Sequence, residues 1–141
     1  MRNALKVTVL VAFLAVPSVA LATSASSRSL AINCNQEQFK PKRITIACGD
    51  AGIYLGKLKW SNWGSSSASA TGTYNQNTCT PDCAAGHIKS FPVKVTLSKP
   101  KACSIQANPA FRQAALTYTG SHPQGAQAKV KFSCPRLPGG Y

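Results

Sequence analysis

Six cysteines punctuate this chain, at Cys34, Cys48, Cys79, Cys83, Cys103 and Cys134. None falls in the opening residues, which explain the state of all six. Arg2 and Lys6 make a basic start, "VTVLVAFLAV" over 7–16 an apolar centre, and Ala20-Leu21-Ala22 supplies the small residues that a signal peptidase accepts. A signal peptide over 1–22 and a secreted product are therefore expected. The apolar run is interrupted by Pro17 and falls short of the roughly 20 residues of a membrane span, so no transmembrane segment is expected in the mature chain. An even number of cysteines in an exported chain reads as three disulfides.

Six cysteines admit fifteen pairings. Loop closure favours neighbours, because short loops form without long-range organisation of the chain: Cys34 with Cys48, Cys79 with Cys83, Cys103 with Cys134. In the chain-entropy model these contribute roughly 3, 2 and 3.7 kcal/mol. The middle pair lies in "TCTPDCAAGH" (78–87). Zinc would take Cys79, Cys83 and His87 at helical spacing, but Pro81 and Gly86 oppose a helix and a fourth ligand is missing. A redox centre needs two residues, not three, between its cysteines. A disulfide-closed turn is the expectation, with no metal and no cofactor.

Between the cysteines the period is two. "RITIA" (43–47), "FPVKVTL" (91–97), "ALTYT" (115–119) and "AKVKFSC" (128–134) alternate apolar with polar residues, as strands with one buried face do. In "IYLGKLKW" (53–60) the apolar parity changes between Leu55 and Leu58, and a β-bulge at Gly56-Lys57 would restore one buried face. "NPAFRQAAL" (108–116) has room for at most a turn or two of helix. Of the two tryptophans, Trp63, beside Asn62 and Gly64, is expected to be the more exposed. The resulting expectation is an all-β fold, a small antiparallel sandwich or barrel cross-linked by disulfides, over 34–141. Residues 23–33, beginning "TSASSRS", should form a flexible tail.

The stretch 48–100, with its "L.W..WG" strand end, "GTY", "C.PDCA.G" turn and "PV.VTL..P" strand, together with "LTYTGSHP" (116–123), resembles a group of small exported disulfide-containing proteins of actinobacteria. The resemblance implies export and a common fold, and carries no activity with it. The pair Cys103 and Cys134 is not a general feature of that group.

Charge is the stronger functional signal. The chain carries 16 Lys and Arg against 3 Asp and Glu, and removing Arg2 and Lys6 lowers the formal charge from +13 to +11. Such a field attracts polyanions. Alternation directs Lys57, Lys59, Lys94, Lys129 and Lys131 to solvent, and with Trp63 they are the candidate binding residues, whereas Lys99, Lys101, Arg112 and Arg136 are placed on loops or ends. The expected partner is an anionic polymer of the cell envelope or an acidic protein, met by a monomer. Specific nucleic-acid recognition is not expected, because no known module is present. A protease-inhibitor-like protein, presenting "CTPDCAAGHIKSF" (79–91) with Lys89, is the alternative. A hydrolase is less expected, since only Asp50, Asp82 and His87 form a constellation to test. The expectation is a non-enzyme.

Overall fold

A computed structural model describes residues 28–103 and 106–136. Eight strands follow one another: β1 (Leu30–Asn33), β2 (Gln36–Gln38), β3 (Ile44–Thr45), β4 (Ile53–Trp63), β5 (Ala68–Asn77), β6 (Ile88–Cys103), β7 (Gln106–Tyr118) and β8 (Lys129–Lys131). They form one sheet in the order β2-β1-β7-β6-β5-β4-β3, with β8 also paired to β7. All pairs are antiparallel except β1 with β7, which is parallel, so the disulfide-cross-linked all-β fold is a curled mixed sheet, a half-barrel, rather than two stacked sheets.

Side-chain alternation sorts the two faces of the curl. On the concave face Leu97, Val95 and Val93 of β6 lie between Ala68, Ala70 and Gly72 of β5 and Ala114, Leu116 and Tyr118 of β7. The small residues are concentrated in β5, between the large ones of β4 and β6. The small residues of β5 leave room for Trp60 and Trp63 of β4, which pack edge to face with ring centroids 4.5 Å apart. Gly72 is required here: a Cβ would stand 2.6 Å from the Gly56 carbonyl oxygen and 2.9 Å from Leu58 Cδ2.

Two irregularities in β4 set which residues face inward. The expected bulge is present between Gly56 and Lys59, with Lys57 at φ 51°, and it lets both Leu55 and Leu58 be buried. A second register shift, between Trp60 and Asn62, turns Trp63 inward as well. Trp63, expected to be the more exposed of the two tryptophans, is half-buried, as Trp60 is. Its ring packs on Phe39, Trp60 and Phe111, and its Nε1–H donates to the Ser29 carbonyl at 2.9 Å.

The curl is closed by its ends. The β1 and β3 regions meet where Asn33 Oδ1 accepts the Thr45 N–H at 2.9 Å, and the Cys34–Cys48 disulfide joins the chain just beyond each strand. Ser29 is buried and its hydroxyl donates to the Ser65 carbonyl. The tail expected over 23–33 is corrected accordingly: Leu30–Asn33 is a sheet strand, and 23–27, like the signal peptide at 1–22, lie outside the described residues.

Residues 108–116, where a helical turn was allowed for, belong to β7. That strand changes phase between Phe111 and Ala114, both fully buried, and the intervening Arg112 turns to the third disulfide. Its Nε donates to the Phe132 carbonyl at 2.7 Å and its Nη1 to Cys134 Sγ at 2.8 Å. Lys99 and Lys101 lie in β6, so of the four cations placed on loops or ends only Arg136 is outside the strands. The remaining cystines are Cys79–Cys83 and Cys103–Cys134, the pairs that loop closure favours. Among the described residues no helix is long and apolar enough to cross a membrane.

Candidate functional site

The convex face gathers the lysines. In register across four strands, Lys59 of β4 stands beside Thr71 of β5, Lys94 of β6 and Thr117 of β7, all exposed. The next outward row runs Asn62, Ser69, Thr96, Ala115 and Lys129, and the one after it Ser98, Gln113 and Lys131. With strands about 4.8 Å apart, Lys59 and Lys94 are separated by roughly 10 Å, a distance that two lysine stems readily adapt to one chain of anions. Lys57, exposed at the bulge, adds a fifth charge at the β4 border. The convex rows contain no carboxylate. The chain's three acids lie elsewhere, Glu37 in β2 and Asp50 and Asp82 in turns.

One contributor was missed. The segment before β3 runs beside β4, where Lys42 accepts the Leu58 N–H on its carbonyl at 3.1 Å and Pro41 accepts the Trp60 Nε1–H at 2.9 Å. This carries the exposed Lys42 to the strand that bears Lys57 and Lys59. Arg43 follows, stacked 3.6 Å from the centroid of Tyr54, a residue of the same strand. Nothing in the alternation of 40–43 reveals this, because the pairing is made by a loop.

The other candidates have local employment. Asp50 accepts the Gly52 N–H, and Asp82 accepts the N–H groups of Ala84 and Ala85, so both carboxylates cap turns. Cys79 and Cys83 have their sulfurs in a disulfide and are not thiolate ligands. The turn they close is tied down by Asn77, which accepts the Cys79 N–H and donates to the Cys83 carbonyl. Lys89 is not on that turn: it lies in β6, paired with Gln76, on the concave side. Residues 88–91 of the stretch considered as an inhibitor-like loop thus belong to β6, with Lys89 exposed.

At the mouth of the curl the inward positions turn polar. Along β6 they read Val95, Val93, Phe91 and Lys89, and along β5 Ala70, Gly72, Tyr74 and Gln76. Tyr74 and Tyr118 stack edge to face at 5.7 Å, and His122 lies 6.1 Å beyond Tyr118. Burial and the neighbouring Tyr74 push the Tyr118 phenol up to about 12, as expected where the apolar interior ends. Above these rings opens a cleft of about 570 Å³.

No family model, curated protein or solved structure matches the chain.

Proposed function

We propose that this is a secreted, basic binding module that attaches to an anionic polymer of the cell envelope through its convex face, without catalysing a reaction. The observation that carries the reading is the register of Lys59, Lys94, Lys129 and Lys131 on one face with hydroxyl and amide side chains between them. Lysines supply the attraction, and Thr71, Thr96 and Thr117 supply hydrogen bonds to phosphate or uronate oxygens. The face is a repeating surface rather than a pocket, which suits a polymer better than a small substrate. Trp63 is removed from the binding set, since its ring is spent on the core, and Lys42 is added. The three cystines support the same setting.

The test is cosedimentation of purified mature protein with a phosphate- or uronate-bearing wall polymer at low and high salt. Binding should fall steeply as salt rises, since the Debye length shrinks from about 8 Å at physiological ionic strength to about 3 Å at 1 M. Retention unaffected by salt, or equal retention on a neutral polysaccharide, would exclude the reading.

A further inference from the structure

We infer that the mouth of the half-barrel is a second binding site, separate from the convex face, for a short anionic sugar whose carboxylate or phosphate meets Lys89. The cleft of about 570 Å³ is lined by Gln76, Thr78, Lys89, Phe91, His122 and Gln124, among others. Its size falls within the roughly 300–1,000 Å³ of small-molecule sites.

The lining has a definite chemistry. Lys89 and Gln76 are cross-strand partners at the end of the concave face, so their side chains rise from one spot beyond the last aromatic layer. Phe91, half-buried, offers an apolar face, while two amides and the threonine hydroxyls offer donors and acceptors. A sugar ring, with an apolar C–H face, hydroxyls around its edge and one anionic group, satisfies all of these at once. No carboxylate is among the lining residues, so a cationic ligand would find no partner there.

The walls are built to hold still. On one side stands the Cys79–Cys83 turn, where the Thr78 N–H donates to the His87 carbonyl at 2.9 Å and the Thr78 hydroxyl accepts the His87 N–H at 3.1 Å. On the other stands the segment after β7. There the Thr119 N–H donates to the Pro92 carbonyl, the Ala126 N–H to the Pro123 carbonyl, and the Tyr118 hydroxyl to the Gln127 carbonyl. The small cystine, which contributes least to stability, thus shapes one side of a preformed cleft. Preorganised walls of this kind spare a ligand the cost of ordering them.

The test is NMR titration of the ¹⁵N-labelled mature protein at about 0.5 M salt, where attraction to the convex face is screened. Four probes are used: a glucuronate-containing disaccharide, glucose 6-phosphate, maltose and inorganic phosphate. Either of the first two should shift amides of residues 76–91 and 119–124, and which of them binds tells uronate from phosphate. Maltose and inorganic phosphate should bind at least about tenfold more weakly, as should the better anionic sugar to Lys89→Gln. Gln124→Ala, an exposed loop change, should weaken binding with an unchanged melting temperature. The triple variant Lys59→Gln, Lys94→Gln, Lys129→Gln should bind the sugar as the wild type does. The proposal is overturned if neither anionic sugar shifts these amides, if maltose or phosphate binds equally well, if folded Lys89→Gln binds normally, or if the triple variant loses binding. Loss of sugar binding in the triple variant would place the sugar on the convex face, and the other results leave polymer retention by that face untouched.

Discussion

Arg112 carries a charge that the molecule uses on itself. Its guanidinium spans the Phe132 carbonyl and the Cys134 sulfur, fastening the segment after β8 to β7. Loss of hydrogen bonds from a charged group costs about 1.5–3 kcal/mol. Arg112→Met should therefore lower the unfolding free energy, read from denaturant melts, by that much while leaving polymer retention unchanged, and the reverse pattern would mark Arg112 as a binding cation. Glu37 is the opposite case. Both of its carboxylate oxygens are shielded and lack a hydrogen-bond partner among the described residues, and burial raises its pKa above 4.5. Folding thus opposes its ionisation, so the cost is borne at neutral pH and relieved as pH falls through the raised folded value. Glu37→Gln should be more stable than the wild type at pH 7, and the gap should close as pH falls to about 4.5. Unfolding curves at both pH values decide it, and a gap that does not change with pH would show that folding leaves the affinity of the carboxylate for its proton unchanged.

At the scale of the elements, the three cystines divide their labour. Cys34–Cys48 joins opposite ends of the strand order, whereas Cys79–Cys83 closes a turn four residues apart in sequence. Replacing Cys34 and Cys48 together by Ser should cost about 3 kcal/mol and replacing Cys79 and Cys83 about 2. Hydrogen exchange should separate them further: the first pair should loosen β1 and β3, the second only the turn and the mouth. Equal loosening everywhere would show that the seam is held without its cystine. Much of this was legible beforehand. Val93, Val95 and Leu97 alternate with Pro92, Lys94 and Thr96, and one phase change located the Gly56-Lys57 bulge. Trp63 was misread because a second bulge flips the parity again within three residues, and the polar neighbours that suggested exposure lie on the outer side of that kink. Residues 108–116 were unreadable as a strand for another reason. Their buried positions are Ala110, Phe111, Ala114 and Leu116, in an order that follows neither a period of two nor one of 3.6, because Ala110 packs in a separate cluster from the other three. The parallel pairing of β1 with β7 is a property of chain path, which alternation does not encode.

For the molecule as a whole, the question is whether +13 of formal charge acts as a diffuse cloud or as a surface with an address. Strand register favours an address. Lys59 and Lys94 share a transverse row, and Lys129 stands in the next row beyond Thr96 and Ala115, so neighbouring charges are roughly 10–12 Å apart. That spacing exceeds the Debye length of about 8 Å at physiological ionic strength, so the lysines act by each meeting an anion of the same polymer rather than as a summed long-range field. Lys99 and Lys101 lie at the far end of β6, and Arg136 lies beyond β8. Arg112 is unsuitable for the comparison because its removal would disturb the fold. Two variants with equal loss of charge therefore separate the cases: Lys59→Gln, Lys94→Gln, Lys129→Gln against Lys99→Gln, Lys101→Gln, Arg136→Gln. Because polyelectrolyte affinity depends on the number of anions neutralised at once, the first set should weaken polymer binding by about tenfold or more and flatten its dependence on log salt concentration. The second set should change it by less than about threefold. Cosedimentation over a salt series measures both quantities, and equal losses from the two sets would show that net charge alone draws the polymer and that the convex face has no address.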